Sequence, residues 1–241
     1  MNDNGILLTT QWQDWRQLHG AGNNARETAY QIIRDKIINL EFKPGEPLSD
    51  KQLAEQLQMS RTPVHEAIIL LSVTNMVVLK PQIGTFVAPI DEEWLELEQF
   101  ARFALEKEII VRACSHMTDE LAEMYEQNIQ AYEAEARRQG SDVRHLLDLD
   151  NTFHRIAFIA ANREYNYFHM MNSMQHIERL RILSLRHISS RQTVEDHQQI
   201  SRAIAQGNVI TAQYWLEQHL NRYQADLQRL KEESPEYFHL G

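Results

Sequence analysis

The stretch that decides the fold is SDKQLAEQLQMSRTPVHEAIILLSV, residues 49–73. Ser49 and Gln52 fit a capping box at the start of one helix. Ser60 precedes a second apolar pattern at helical spacing, with Pro63 in its first turn, where the missing N–H costs little. Only a short polar turn separates the two patterns, and such a pair of helices predicts a helix-turn-helix unit.

The residues on either side extend this unit. Upstream, NNARETAYQIIRDKIINLEF at residues 23–42 repeats apolar side chains at helical spacing, and Pro44 and Gly45 mark its end. Downstream, the runs MVVLK and GTFVAPI are rich in β-branched residues and flank a turn at Pro81, which is typical of a hairpin. Three helices and a two-strand wing within residues 23–90 predict a winged helix-turn-helix domain. A small helical domain with an incidental hairpin is the alternative.

The pattern changes near residue 91, and no strand signal follows it. Six long helical segments are predicted, at about 92–116, 118–138, 142–161, 164–188, 191–206 and 208–232. The fold class is therefore mainly α, with a C-terminal all-α bundle of six or seven helices. The expected domains are an N-terminal arm at residues 1–22, the winged unit at 23–90 and the bundle at 91–241.

Charge and composition limit the function classes. The net charge is −10, but residues 23–90 hold equal numbers of basic and acidic side chains, so the acidity belongs mainly to the bundle. An acidic bundle argues against nucleic-acid binding by that part. One cysteine excludes an internal disulfide framework and a multi-cysteine zinc site. With no secretory signal and no apolar run of membrane length, the sequence predicts a cytoplasmic protein.

The second helix of the helix-turn-helix unit is the expected recognition helix, because such helices present their N-terminal residues to the major groove. Arg61 can direct two donors at guanine O6 and N7, and Ser60 and Thr62 can reach phosphates. The tip of the wing can contact the minor groove. The residues predicted to contact DNA are Lys51, Ser60, Arg61, Thr62, His65, Gln82, Gly84 and Thr85.

These motifs carry a family resemblance. The segment FKPGEPLSDKQLAEQLQMSRTPVHEAIILLSVTNMVVLKPQIGTFV, residues 42–87, resembles the GntR family of bacterial transcription regulators. The resemblance implies a homodimer that binds a short palindromic operator in double-stranded DNA. The sequence departs from the family at His65, where an arginine that contacts DNA is usual. A histidine is shorter and mostly neutral at pH 7, so we expect DNA affinity to rise below about pH 6.5.

Asp150 and His154 belong to DLDNTFHRIAF, residues 148–158, and lie four apart on one helix face. Taken alone, this pair is as compatible with a simple surface contact as with half of a metal site. His197 and His219 also sit among apolar residues at helical spacing, where a single histidine is usually hydrogen-bonded and inert.

The bundle, residues 91–232, resembles the FadR-like subfamily of GntR regulators with its FCD effector domain. The motifs that carry this resemblance are ARFALEKEI, DNTFH, EDHQQI and LEQHL. In that subfamily an aspartate and three histidines from separate helices hold a divalent metal. The resemblance implies the ligands Asp150, His154, His197 and His219. Imidazole and carboxylate ligands suit zinc, which we expect first, or nickel or manganese.

Two arginines are candidates for binding an effector. In the resembling family Arg102 faces inward, where it can hold a carboxylate with two hydrogen bonds, and Arg181 is a second candidate for the same pocket. A helical pair of Arg102 with Glu106 is the alternative. The sequence thus predicts a metal-containing repressor that a small organic acid releases from DNA. A purely structural metal without an effector, and a metal-dependent hydrolase, are the rival hypotheses.

Overall fold

The computed structural model describes residues 24–187 and 191–238, so the predicted arm, residues 1–22, lies outside the described residues. The α-helices in these ranges are α1 Ala25–Ile38, α2 Asp50–Leu57, α3 Arg61–Val73, α4 Glu92–His116, α5 Asp119–Arg137, α6 Val143–Ala160, α7 Glu164–Met171, α8 Gln175–His187, α9 Arg191–Ala205 and α10 Val209–Glu233. The strands are β1 Pro47–Leu48, β2 Val77–Lys80 and β3 Gly84–Val87, and a 3-10 helix, Pro235–Tyr237, follows α10. The predicted mainly α fold is confirmed.

The helix-turn-helix unit forms where the caps predicted it. The Ser49 hydroxyl accepts a hydrogen bond from the Gln52 N–H (3.4 Å) at the start of α2. The backbone of Gln58 adopts a left-handed conformation (φ 55°) that ends α2 and turns the chain toward α3. Ser60 is the N-cap residue of α3, but its side chain makes no capping bond. The hydroxyl of Ser60 therefore remains available to another partner.

The wing has three strands, not the two that were predicted. β3 lies between β1 and β2, and both pairings are antiparallel. The extra strand, β1, is only two residues long, and Pro47 pairs with Phe86 at the edge of the sheet. The sequence does not predict this strand, because a proline in so short a segment usually indicates a turn. Proline is nevertheless tolerated on an edge strand.

Two helix boundaries also differ from the prediction. α1 ends at Ile38 instead of continuing to Pro44, because Leu40 takes a left-handed backbone conformation (φ 58°). The helix predicted at 164–188 is interrupted between Met171 and Gln175, giving α7 and α8.

The buried apolar side chains form two clusters. One joins α1–α3 with the wing, and the other joins the helices from α4 onward. No helix in the described ranges has the length and hydrophobicity of a membrane-spanning segment.

Helix α8 connects the two clusters. The N–H groups of His176 and Ile177 at its start donate to the Glu98 carboxylate on α4 (3.2 and 2.9 Å). Burial raises the pKa of Glu98 to about 8, and these N–H groups partly offset that effect.

Further along α8, Arg179 is completely buried and donates to the carbonyls of Ala88 (2.8 Å) and Pro89 (3.2 Å), between the wing and α4. The Arg179 side chain on the bundle thus binds the backbone segment that connects the winged unit to α4.

Candidate functional site

Three helices bring the predicted metal ligands together. Asp150 and His154 lie on α6, His197 on α9 and His219 on α10. One potential ligand atom from each lies within 4.8 Å of all the others. Asp150, His154 and His197 are buried, so the i,i+4 pair on α6 is not a surface contact.

The distances between these atoms fit a shared ion. His154 Nε2 lies 3.2 Å from His219 Nε2, and His197 Nε2 lies 3.1 Å from Asp150 Oδ1. Ligand atoms about 2.1 Å from one ion lie roughly 3.0–3.5 Å apart at right-angled to tetrahedral ligand angles. Both nitrogens of His197 are buried: Nδ1 has no hydrogen-bond partner within the described part of the chain, and Nε2 has only the nearby Asp150 carboxylate, without good hydrogen-bond geometry. A buried imidazole without a partner is costly, and a cation is the partner that this donor set would accept.

The outer atoms of the ligands are held by other charged groups. His154 Nδ1 lies 2.6 Å from Glu106 Oε2, so the carboxylate fixes this ring with Nε2 toward the cluster. His219 Nδ1 lies 3.4 Å from Asp196 Oδ2. Asp196 is fully buried and accepts a hydrogen bond of 2.7 Å from Arg222. Carboxylates behind histidines are typical of metal sites, where they orient the rings.

The electrostatic environment of the ligands favours the protonation states that bind a cation. Burial lowers the pKa of His197 to about 4, and Asp150 only partly offsets this effect. Burial also lowers the pKa of His154, against the opposing charge of Glu106. Burial acts in the other direction on Asp150, yet Arg181 and His197 hold the pKa of this carboxyl well below its usual range. These two imidazoles are therefore neutral and the carboxyl is ionised at pH 7, as metal ligands must be.

A cavity of about 110 Å³ opens beside the cluster. Asp150 and His219 contribute to its wall, together with Arg102, Arg181 and Arg222. At about 10–15 Å³ for each water molecule, this volume suits a ligand of roughly 7–11 heavy atoms.

Both predicted effector arginines line this cavity, but each already has a carboxylate partner. Arg102 Nε donates to Glu106 Oε1 (2.7 Å), which is the helical pair considered as the alternative. Arg181 donates to Asp150 Oδ2 and to Asn151 Oδ1. The arginines that line the cavity therefore bind carboxylates of the protein. A small acid would offer them the same chemical group.

The predicted DNA-contacting residues are at the surface. All are exposed except Thr85, which is half-buried in the wing sheet. Ser60, Arg61 and Thr62 lie at the start of α3, and Gln82 and Gly84 form the tip of the wing with positive φ angles of 62° and 146°. His65, one turn further along α3, lies 2.7 Å from Asp50 on α2.

Comparison with known protein families identifies both parts of the chain. Residues 25–87 match the family described as bacterial regulatory proteins, gntR family. Residues 99–222 match the FCD domain. The chain belongs to the GntR family of bacterial regulators with an FCD domain. The predicted family is thereby confirmed, and this GntR–FCD protein is a DNA-binding transcription regulator and not an enzyme.

Relatives extend along most of the GntR–FCD chain. A Streptomyces ambofaciens HTH-type transcriptional regulator in an unstable DNA locus is 28% identical over 90% of this chain and 91% of its own length. The Escherichia coli HTH-type transcriptional repressor RspR is 26% identical over 87% of this chain and 91% of its own length. Among solved structures, E. coli McbR/YncC shares the fold with a TM-score of 0.66 at 20% identity, covering 86% of this chain and 98% of that one.

The sequence prediction for this GntR–FCD regulator missed two features of the cluster. The sequence suggests Glu106 only as a helical partner of Arg102, and the prediction assigns no role to Asp196 or Arg222. A signal was present, since Asp196 directly precedes His197 and Arg222 follows His219 by three residues. Histidine ligands commonly have a carboxylate behind them, so an acidic residue near a histidine in the sequence is a signal for such a partner.

Proposed function

We propose that this regulator is a metal-containing, homodimeric, cytoplasmic repressor that leaves a palindromic operator when a small organic acid binds its FCD domain. The observation that carries the proposal is the convergence of Asp150, His154, His197 and His219 beside a cavity lined by arginines. A relative that is named a transcriptional repressor supports the direction of regulation.

Zinc is the ion that we propose for the cluster, with nickel or manganese as alternatives, because three imidazoles and one carboxylate suit these metals. The metal would supply positive charge and open coordination positions next to the cavity. Glu106 and Asp196 would orient His154 and His219 from behind. Arg181 and Arg102 would bind the carboxylate of the effector, each by exchanging a carboxylate of the protein for that of the ligand.

Helix α8 offers a path from the cavity to the DNA-binding unit. Arg181 lines the cavity, and Arg179, two residues earlier, holds the carbonyls of Ala88 and Pro89. On the same helix, Glu178 forms an ion pair with Arg34 of α1 (3.2 Å). An acid that binds Arg181 can change the conformation of the regulator only if it has different affinities for two conformations that differ in the position of α8.

A second candidate function keeps the metal but has no effector. The pairing of Arg102 and Arg181 with carboxylates of the protein favours it, because neither guanidinium needs a ligand to be satisfied. Titrating the metal-loaded protein with a panel of small mono-, di- and tricarboxylates separates the two. Binding of an acid, with weaker operator binding in its presence, supports the repressor; saturation of the metal without any response to acids supports the structural ion.

The placement of α3 in the major groove is tested by Arg61→Ala. We expect the loss of about 1–3 kcal/mol of specific binding energy for each half-site, because Arg61 would lose two bonds to a guanine. The measurement is a competition titration of operator DNA, selected from random fragments, against non-specific DNA. Lys51→Ala is the matched control, since loss of a phosphate contact weakens binding to all sequences and lowers the salt dependence by about one charge. Equal operator affinity for Arg61→Ala and wild type would show that α3 lies elsewhere.

The role of Glu106 behind the cluster is tested by Glu106→Gln. We expect metal affinity to fall by about 10–100-fold, because an amide orients the His154 ring less strongly than a carboxylate and lowers its basicity. Competition against a coloured zinc chelator gives the affinity. Glu108→Gln, two residues later on α4 and exposed, removes the same charge and should leave the affinity unchanged. Equal affinities for the two variants would contradict the proposed site.

A further inference from the structure

His65 on α3 and Asp50 at the start of α2 form a contact across the helix-turn-helix. His65 Nδ1 lies 2.7 Å from Asp50 Oδ2, and the His65 side chain is 60% exposed. Nε2, on the other side of the ring, has no hydrogen-bond partner among the described residues. The histidine is therefore anchored at one nitrogen and open at the other.

The carboxylate decides which nitrogen carries the proton. An ionised aspartate only accepts hydrogen bonds, so His65 Nδ1 must donate. In a neutral imidazole the other nitrogen is then a hydrogen-bond acceptor. The exposed edge of His65 thus presents a lone pair, whereas an arginine side chain presents only N–H donors.

We propose that Asp50 is a specificity-determining residue that makes His65 an acceptor toward DNA. In the major groove, acceptors pair with exocyclic amines, which are cytosine N4 and adenine N6. Donors pair with guanine O6 and N7. The Asp50–His65 pair therefore favours a base with an amino group over guanine at one position of each half-site. This inference rests on the proposed placement of α3 in the groove.

The test is a selection of bound fragments from random DNA at about pH 8, where a histidine carries one ring proton. His65→Ala first identifies the base position that His65 reads, because preference is lost there. Asp50→Asn is then compared with wild type at that position. An asparagine can either accept from Nδ1–H or donate to Nδ1, so both tautomers become available.

Wild type is expected to select cytosine or adenine at that position. For Asp50→Asn we expect this preference to fall about fivefold, the worth of one hydrogen bond, with guanine gaining. Glu55→Gln is the matched control, because it removes one negative charge from the exposed face of the same helix, and it should keep the wild-type preference. Thermal melting of Asp50→Asn verifies that α2 remains folded.

Three results would overturn the assignment. Guanine at the position in wild type would show that Nε2 donates. An unchanged preference in Asp50→Asn would show that the aspartate does not choose the tautomer. A His65→Ala variant with the wild-type sequence preference would show that His65 reads no base. In each case, a loss of specific binding in Arg61→Ala would still support α3 as the recognition helix, so the two proposals fail separately.

Discussion

Removal of bound zinc from the wild-type protein is expected to lower its melting temperature by roughly 8–16 °C, and His197→Ala is expected to abolish that difference. An ion present at about a thousand times its dissociation constant stabilises the folded state by about 4 kcal/mol. For a chain of this size, each kcal/mol shifts the melting temperature by about 2–4 °C. The measurement is thermal unfolding of zinc-loaded and chelator-treated protein.

His197 is the ligand whose loss should matter most. Its ring stacks on Phe153 with 3.7 Å between ring centroids and an interplanar angle of 3°, so the protein fixes its orientation. Its Nδ1 is buried without a hydrogen bond and its Nε2 has only the Asp150 carboxylate beside it, in contrast to His154, whose Nδ1 Glu106 satisfies. The structure thus holds His197 Nε2 beside the other ligand atoms, where a bound cation would satisfy it.

His176→Ala is the matched control for this prediction. This second fully buried histidine lies outside the cluster, stacks on Trp94 and contacts the Thr74 carbonyl through Nε2 (3.1 Å). Its removal should lower the melting temperature equally with and without zinc, leaving the chelator effect intact. A chelator effect of wild-type size in His197→Ala would show that the ion binds elsewhere.

The parts of this structure that the sequence predicts are those set by local rules. The caps at Ser49 and the periodicity of the long helices depend on residues a few positions apart, so α2, α3 and α4 appear where they are expected. The family resemblance implies the ligand set, and the i,i+4 spacing of Asp150 and His154 is compatible with it. Neither periodicity nor spacing alone separates a ligand from an ordinary core histidine.

The parts that the sequence does not predict depend on distant contacts. The N-terminus of α8 is capped by Glu98, which lies 78 residues before His176, so the interruption between α7 and α8 has no local signal. Glu106 reaches His154 across 48 residues. The strand at Pro47 exists only because Phe86 lies opposite it. In each case the deciding partner belongs to another element, and only the folded arrangement reveals it.

Arg179→Met is expected to destabilise the protein by about 2–6 kcal/mol, because two backbone carbonyls lose their charged hydrogen-bond donor and each unsatisfied buried group costs about 1–3 kcal/mol. Methionine has similar length, so the cavity term is small and the loss comes from the hydrogen bonds to Ala88 and Pro89. Burial lowers the pKa of Arg179 to about 10, and the charge of Glu98 opposes that shift. The guanidinium is therefore still charged at pH 7, whereas the Glu98 carboxyl, whose pKa lies near 8, is largely protonated there. Denaturant unfolding gives the change in stability.

Because Arg179 joins the chain between the two apolar clusters, its loss should also separate their unfolding. We expect one transition in wild type and two in Arg179→Met, with the winged unit unfolding first because it has the smaller core. Arg186→Met is the matched control: it lies on the same helix and donates to the Asn39 carbonyl of the winged unit (2.7 Å), but it is exposed. An exposed substitution of this kind costs at most about 0.5 kcal/mol. Equal denaturation midpoints for the two variants would show that the buried hydrogen bonds of Arg179 to Ala88 and Pro89 add no more stability than the exposed contact of Arg186. The proposed path from the cavity through α8 to the DNA-binding unit would then lose its support.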